Sequence, residues 1–382
     1  MSPPAPPLVP AIPLPTHTIP SSSSTVSVKI IDSTARISFP LSRFLTPPVP
    51  GLEVGTGPAY SFLIEHQDKD GGGGNRRFLF DLGIRKDWEG LAPRIVGTIR
   101  EGKASGWNIE AEKDVAEVLE EEGVKRESIE GVIWSHHHFD HVGNMTTFPA
   151  STDLIVGPGF KEGMTPGYPE NSESSLLQSD YEGRTVREID FQKEGNGLKI
   201  GSFAALDFFN DGSFYLLDSP GHAIGHICGL ARTTSNPATF ILMGGDVCHH
   251  GGEFRPTKYL PLPSEISPNP LNPAAGASPC PGALLQGVHP AGKANEPFFE
   301  ISQGEDGSSV AHDKEQATQS IRKVEEFDPR ADVFVVIAHD QSLLDVMEFF
   351  PKEANAWQEK GWAEKGKWLF LADFKEAVER KK

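Results

Sequence analysis

Residues 136–141 read His-His-His-Phe-Asp-His, and the spacing His-x-His-x-Asp-His inside that run constrains this chain more than any other feature. Neutral imidazole and carboxylate are the ligands of zinc and similar divalent ions. Two histidines two residues apart at a strand exit point at one ion, a role that fits His136 and His138. Asp140 and His141 then face a second ion, and the intervening His137 points the other way. The preceding stretch, Ile129 to Ser135, is apolar apart from Glu130 and reads as a buried strand. The cluster therefore lies on the loop leaving that strand, where sites are usually mounted.

From Thr25 onward, short β-rich runs occur at Val26 to Ile31, Ala35 to Phe39, Tyr60 to Glu65 and Arg77 to Leu82, parted by Pro and Gly clusters. Gly71 to Gly74 lack the Lys-Ser/Thr of a phosphate-binding loop and are expected to form a hairpin loop. Ile109 to Gly123 suits an amphipathic helix. Further strands are expected at Asp153 to Val156, Phe214 to Leu217, His226 to Ala231 and Thr239 to Met243. A helix over Lys314 to Phe327, a strand over Asp332 to Ile337 and helical patterns at Leu343 to Phe350 and Phe370 to Lys381 complete the chain. Residues 1–24, rich in Pro and Ser, are expected to be a flexible extended arm ahead of a domain spanning 25–382. Residues 251–309, rich in Pro, Gly and Ser, are expected to be an insertion, either a lid or a disordered segment.

The remaining ligands of a two-metal site occur at later strand ends. His222 ends Asp218-Ser219-Pro220-Gly221-His222, where Pro and Gly shape a tight turn. Asp246 ends Phe240-Ile241-Leu242-Met243-Gly244-Gly245-Asp246, and its carboxylate can bridge two ions. His339 ends Val333-Phe334-Val335-Val336-Ile337-Ala338-His339. This order of motifs resembles the metallo-β-lactamase superfamily over roughly residues 25–350, and within it the acyl-homoserine lactonases and fungal lactone and lactam hydrolases. The resemblance implies an αββα four-layer sandwich with the metals between the sheet edges. It also implies that His136, His138 and His222 hold one ion, Asp140, His141 and His339 the other, and that Asp246 bridges them. Asp81, in Phe80-Asp81-Leu82-Gly83, stands where the family often has a strand-ending Asp that orients metal ligands. One departure is His249, at a position where lactonases often carry Tyr to touch the substrate carbonyl; His249 or the adjacent His250 is a candidate donor to that carbonyl.

The expected chemistry is hydrolysis of a lactone or γ-lactam by a hydroxide held between two divalent ions, with zinc the expected metal and Asp140 steering the proton to the leaving atom. A thioesterase of the glyoxalase II or carrier-protein type uses the same ligands, and a mononuclear iron redox enzyme of the same fold is a third reading. Phe254, Tyr259, Leu260 and Leu262 are candidates for an apolar pocket wall. His17, His66, His226, His289 and His312 are read as structural. Cys248 is left out because the ligand count is full without it.

Composition narrows the partners. With 35 Lys and Arg against 53 Asp and Glu, the formal charge of −18 repels phosphate backbones and anionic membranes, so a small-molecule substrate is expected and nucleic acid is not. No stretch approaches the roughly 18 apolar residues of a membrane span. Three scattered cysteines do not make a disulfide framework, and a reduced, cytoplasmic location is expected. The sequence leaves the native substrate and the oligomeric state open.

Overall fold

Period-two alternation gives every strand two faces, and here both faces are apolar. In the computed structural model, which describes residues 5–16, 18–67, 74–274 and 278–381, the strand Val26–Pro40 turns Val26, Val28 and Ile30 into one core and Ile31 into another. A sheet apolar on both faces must be covered on both. Two such sheets stack. The first has seven strands in the spatial order Asn108–Glu110, Val26–Pro40, Val54–Gln67, Asn75–Phe80, Gly131–Ile133, Asp153–Val156 and Val186–Glu188. The second has six, ordered Val333–Val336, Ala238–Met243, Ile227–Ser235, Phe214–Asp218, Phe203–Asp207 and Lys199–Ile200.

Between the sheets Val28, Ile30, Phe62, Phe80 and Ile133 meet Phe214, Leu216, Ile241, Met243 and Val336. Outside the first sheet, Leu63, Leu79, Val132 and Leu154 pack with Val115 and Leu119 of the helix Val115–Glu121. Outside the second, Leu217, Leu230, Leu242 and Val335 pack with Ala317, Ile321 and Val324 of the helix Lys314–Val324. These are the four layers of the expected αββα sandwich.

Strand direction then brings separate loops to one edge. Asn75–Phe80 and Gly131–Ile133 are parallel, with Phe80 beside Ile133, so the segments that follow each emerge together. Ala238–Met243 and Val333–Val336 are also parallel, with Met243 beside Val336. The turn from Asp218 to Ile227 reaches the same edge, because Gly229 pairs with Met243.

Several expected elements differ in extent. The runs Val26 to Ile31 and Ala35 to Phe39 form one strand, interrupted by a register shift between Asp32 and Arg36 where Thr34 adopts φ of 60°. The expected helix Ile109 to Gly123 begins only at Val115: Asn108–Glu110 instead pairs with Arg36 to Ser38 at the sheet edge, and Asp114 with Glu117 forms a capping box. Leu343 to Phe350 is not a helix beyond the short turn Gln341–Leu343, because Phe350 donates its N–H to Ile30 and Ala354 donates to Val28. The expected hairpin loop at Gly71 to Gly74 and the residue His17 lie, Gly74 excepted, outside the described residues.

The described part of 251–309 is packed. Leu262, Ile266, Leu285, Phe298 and Phe299 share a core with Phe370, Leu371, Phe374 and Val378 near the C-terminus. The expected flexible arm lies against this segment, with Leu8 N–H bonded to Leu262 O, Ser264 N–H to Pro6 O and Ile12 N–H to Lys258 O. Two of the expected pocket-wall residues are corrected: Phe254 is buried against the second sheet's outer layer and Leu262 lies in the core just described, so neither lines a pocket. Among the described residues, no helix is long and apolar enough to cross a membrane.

Candidate metal centre

Local structure sets each candidate ligand. His136 leaves the strand Gly131–Ile133 through Ser135, whose hydroxyl lies 3.0 Å from His136 Nδ1 and leaves Nε2 to face inward. His138 precedes the single turn Phe139–Val142, which carries Asp140 and His141. His222 sits in a loop that needs glycine: Gly221 has φ of 123°, and a Cβ there would stand 2.0 Å from Ala317 N. That loop is pinned to the start of the helix Lys314–Val324 by Asp313 N–H to Gly221 O and His312 N–H to His222 O. His339 donates Nδ1–H to Pro58 O at 2.7 Å, which aims its Nε2 at the site.

All seven candidate ligands meet. His136, His138, His222 and Asp246 form one group of donor atoms mutually within 4.8 Å, and Asp140, His141, Asp246 and His339 form the other. Asp246 belongs to both: its Oδ1 is 3.0 Å from His141 Nε2 and 3.1 Å from His339 Nε2, while its Oδ2 is 3.4 Å from His222 Nε2 and 3.8 Å from His136 Nε2. Asp140 Oδ2 lies 3.4 Å from His339 Nε2.

The donor chemistry fits divalent cations. Burial, with the neighbouring histidines, holds the pKa values of His136 and His222 well below the usual imidazole range, and burial also lowers that of His138. Their facing nitrogens are only 3.0 to 3.2 Å apart. Neutral imidazoles converging on one point repel through their lone pairs, and a cation at that point turns the repulsion into ligation. In the second group, burial opposes charge on His339, but Asp246 and Asp140 outweigh it and raise its pKa to about 10. The position calls for positive charge. His141 Nε2 and Asp246 Oδ1, though 3.0 Å apart, are buried and make no well-directed hydrogen bond among the described residues.

Two supporting residues complete the arrangement. Asp81, at φ of 60°, accepts Ser135 N–H at 2.6 Å and His141 Nδ1–H at 2.9 Å, so one carboxylate orients the chain before His136 and the ring of His141. His226, read from sequence as structural, accepts Asp246 N–H on Nε2 at 3.1 Å and donates Nδ1–H to Ser219 O at 3.0 Å. Burial takes its pKa down to about 3, the neutral form this pattern needs. Asp81→Asn keeps a side chain that tolerates the left-handed backbone but weakens the charge on His141. It is expected to reduce the affinity of the second ion by about 10- to 100-fold, measured by calorimetric metal titration.

Other candidates are placed elsewhere. His137 joins neither group, and burial lowers its pKa to about 3. Cys248 is buried in the outer layer of the second sheet. The aromatic wall beside the site went unseen in the sequence: Phe39 lies 6.2 Å from the His339 ring, Phe44 lies 4.8 Å from the His249 ring, and Trp107 stands 6.2 Å from Phe44. No local pattern marks these residues, because they arrive from the end of one strand and from an edge segment.

Comparison with known proteins agrees with this fold. A sequence model described as the metallo-beta-lactamase superfamily matches residues 54–232. The chain is 46% identical over 360 residues to Gamma-lactamase FDB1 of Fusarium pseudograminearum, covering 93% of this chain and 84% of that protein. It is 44% identical over 370 residues to Metallo-hydrolase mfmC of Annulohypoxylon moriforme, covering 96% and 92%. Among solved structures, an AiiA mutant of B. thuringiensis with N-decanoyl-L-homoserine bound at its active site shares the fold, with a TM-score of 0.54 and 16% identity over 86% of this chain and 99% of that one. With full-length relatives this similar, and with the sandwich and its strand-end motifs in the expected order, the chain belongs to the metallo-β-lactamase superfamily.

Proposed function

We propose that this metal-dependent hydrolase holds two divalent ions, expected to be zinc, and opens a cyclic ester or amide, a lactone or γ-lactam. The observation that carries the dinuclear reading is Asp246, whose two oxygens each face a different set of histidines. His136, His138 and His222 would hold one ion, Asp140, His141 and His339 the other, with Asp246 shared. The cyclic amide is supported by a close relative bearing the name Gamma-lactamase.

When bound, the ions supply Lewis acidity toward a carbonyl oxygen and bring the pKa of water toward neutrality. The chain's own residues do the rest. Asp140 is buried, which alone would raise its pKa, but His141 and His339 outweigh burial and keep it low. A carboxylate held ionised at the site's edge accepts a proton and returns it to the leaving oxygen or nitrogen. Phe39, Phe44 and Trp107 form an apolar wall beside the histidines that excludes water from one side of a bound ring.

The test pairs metal analysis with hydrolysis of a panel of lactones, γ-lactams and acyl thioesters. Two ions per chain with lactone or lactam opening supports the proposal. Turnover of thioesters alone would replace it with a thioesterase, and one iron per chain with oxygen consumption would replace it with a redox enzyme. Removal of the ions with a chelator is expected to abolish hydrolysis and lower the melting temperature, with both restored by zinc. Each site filled at a thousandfold excess over its Kd contributes about 4 kcal/mol of stability.

A further inference from the structure

The first sheet carries charge on its core-facing side at the edge opposite the metal centre. Alternation fixes the faces. Phe78, Phe80 and Ile155 point between the sheets, whereas Leu79, Leu154 and Val156 point outward. Arg76 and Asp153 stand two residues before Phe78 and Ile155 and share their face, as does Arg187, the pairing partner of Ile155. These three side chains rim the open end of the inter-sheet space, a cleft of about 310 Å³. Phe78, Ile155 and Phe208, all buried, form its apolar floor. Gly131 lets that floor close, because a Cβ there would stand 2.6 Å from Ile155 Cδ1 and 3.1 Å from Phe78 Cε1. His136 follows the far end of the strand Gly131–Ile133, so cleft and metal centre lie at opposite edges of the sheet.

Both arginines are already matched by acids. Arg76 gives Nε–H to Glu130 at 2.8 Å and lies 5.2 Å from the centre of the Phe78 ring. Arg187 gives Nη2–H to Glu194 at 2.7 Å and lies 5.3 Å from the centre of the Phe208 ring. Asp153 differs. Its backbone N–H is bonded to Glu130 O at 2.8 Å, but its carboxylate takes part in no ion pair or hydrogen bond among the described residues. The cleft is therefore left with one uncompensated anion. Inward charge on an edge strand deters strand addition, which accounts for Arg187 on Val186–Glu188. It does not account for Asp153, one strand further in.

We propose that this cleft is a second binding site, for a small molecule in which a primary ammonium group is joined to an apolar body. The ammonium pairs with the Asp153 carboxylate, and the hydroxyl of Ser151, also in the lining, is a further acceptor. The apolar body packs on Phe78, Ile155 and Phe208. The volume suits a single small ring, at the lower end of the roughly 300–1,000 Å³ of ligand pockets. A carboxylate ligand would meet arginines whose charge Glu130 and Glu194 balance, and would face Asp153 as a like charge.

The test is calorimetric titration of the zinc-loaded protein with three probes that share one ring: 2-phenylethylamine, 3-phenylpropionate and 2-phenylethanol. The amine is expected to bind once per chain with a Kd on the order of 0.1–1 mM, at least about tenfold tighter than either of the others. Asp153→Asn keeps the side-chain size and the backbone bond to Glu130. It is expected to keep the wild-type melting temperature, to weaken the amine by about tenfold or more, and to leave the alcohol within a few-fold. In the cobalt-loaded protein, saturating amine is expected to leave the visible spectrum of the metal unchanged. Tighter binding of 3-phenylpropionate would make the arginines the recognising groups, and equal binding of all three probes would reduce the cleft to apolar surface. A changed cobalt spectrum would move the amine to the metal centre, and unchanged affinity in Asp153→Asn would move it elsewhere on this acidic chain. Each of these, like the absence of any binding by the amine, overturns the proposal. The comparison of probes on the wild-type protein decides it even where the variant fails to fold.

Discussion

Asp246→Asn is expected to leave fewer than two ions per chain and to lower kcat/KM by at least about 10³-fold. Asp246 is the residue common to both donor groups, and no neighbour can substitute for it. Its Oδ1 serves His141 and His339, and its Oδ2 serves the side of His222 and His136. A neutral amide of the same shape offers one acceptor oxygen and turns N–H donors toward the other group, so both sets lose the negative charge and one also loses its oxygen whichever way the amide is flipped. The backbone is spared, because Asp246 N–H remains bonded to His226 Nε2. Metal analysis after gel filtration, beside far-UV circular dichroism, separates the site effect from unfolding. Asp246→Asn retaining both ions and full activity would sink the bridging role.

Asp328→Ala is expected to destabilise the fold by about 3–5 kcal/mol without touching the metal centre. Asp328 is 3% exposed and accepts two hydrogen bonds from Arg255, Nε to Oδ2 at 2.9 Å and Nη2 to Oδ1 at 2.5 Å. Arg255 is 4% exposed, gives Nη1–H to Lys367 O and lies 4.4 Å from the centre of the Phe254 ring. Removing the carboxylate strands a buried guanidinium, which costs far more than an exposed pair is worth. Because the pair ties the start of the 251–309 segment to the approach of the strand Val333–Val336, its loss loosens that segment first. The measurement is the urea midpoint of the metal-loaded protein. A midpoint within experimental error of wild type, with metal content unchanged, would show that the site collapses around the lost charge at little cost.

Much of the site was legible because its chemistry is local. His136, His138, Asp140 and His141 occupy one strand exit and one turn, and His222, Asp246 and His339 each follow an apolar run closed by glycine or alanine. Amphipathic spacing alone starts a helix at Ile109, whereas the capping pair Asp114 and Glu117 starts it at Val115. Asp81 stands where the resemblance expects an orienting carboxylate and meets His141 Nδ1, whereas the hold of His226 on the Asp246 backbone is a contact that spacing does not encode.

The opening motif, then, was decided by the sequence alone: the candidate ligands, their order and the strand ends that carry them follow from residue identity and from alternation. Tertiary structure decided everything that depends on which loops meet. It packed the described parts of 251–309 and of the N-terminal segment against the C-terminal residues, since apolar side chains scattered among prolines bury themselves only against a partner from elsewhere in the chain. It turned Leu343 to Phe350 away from helix, because the carbonyl of Ile30 offered Phe350 N–H a better partner, as that of Val28 does for Ala354 just beyond. And it separated His249 from His250, neighbours that the sequence presents alike, by spending one on Asp373 and leaving the other facing the site.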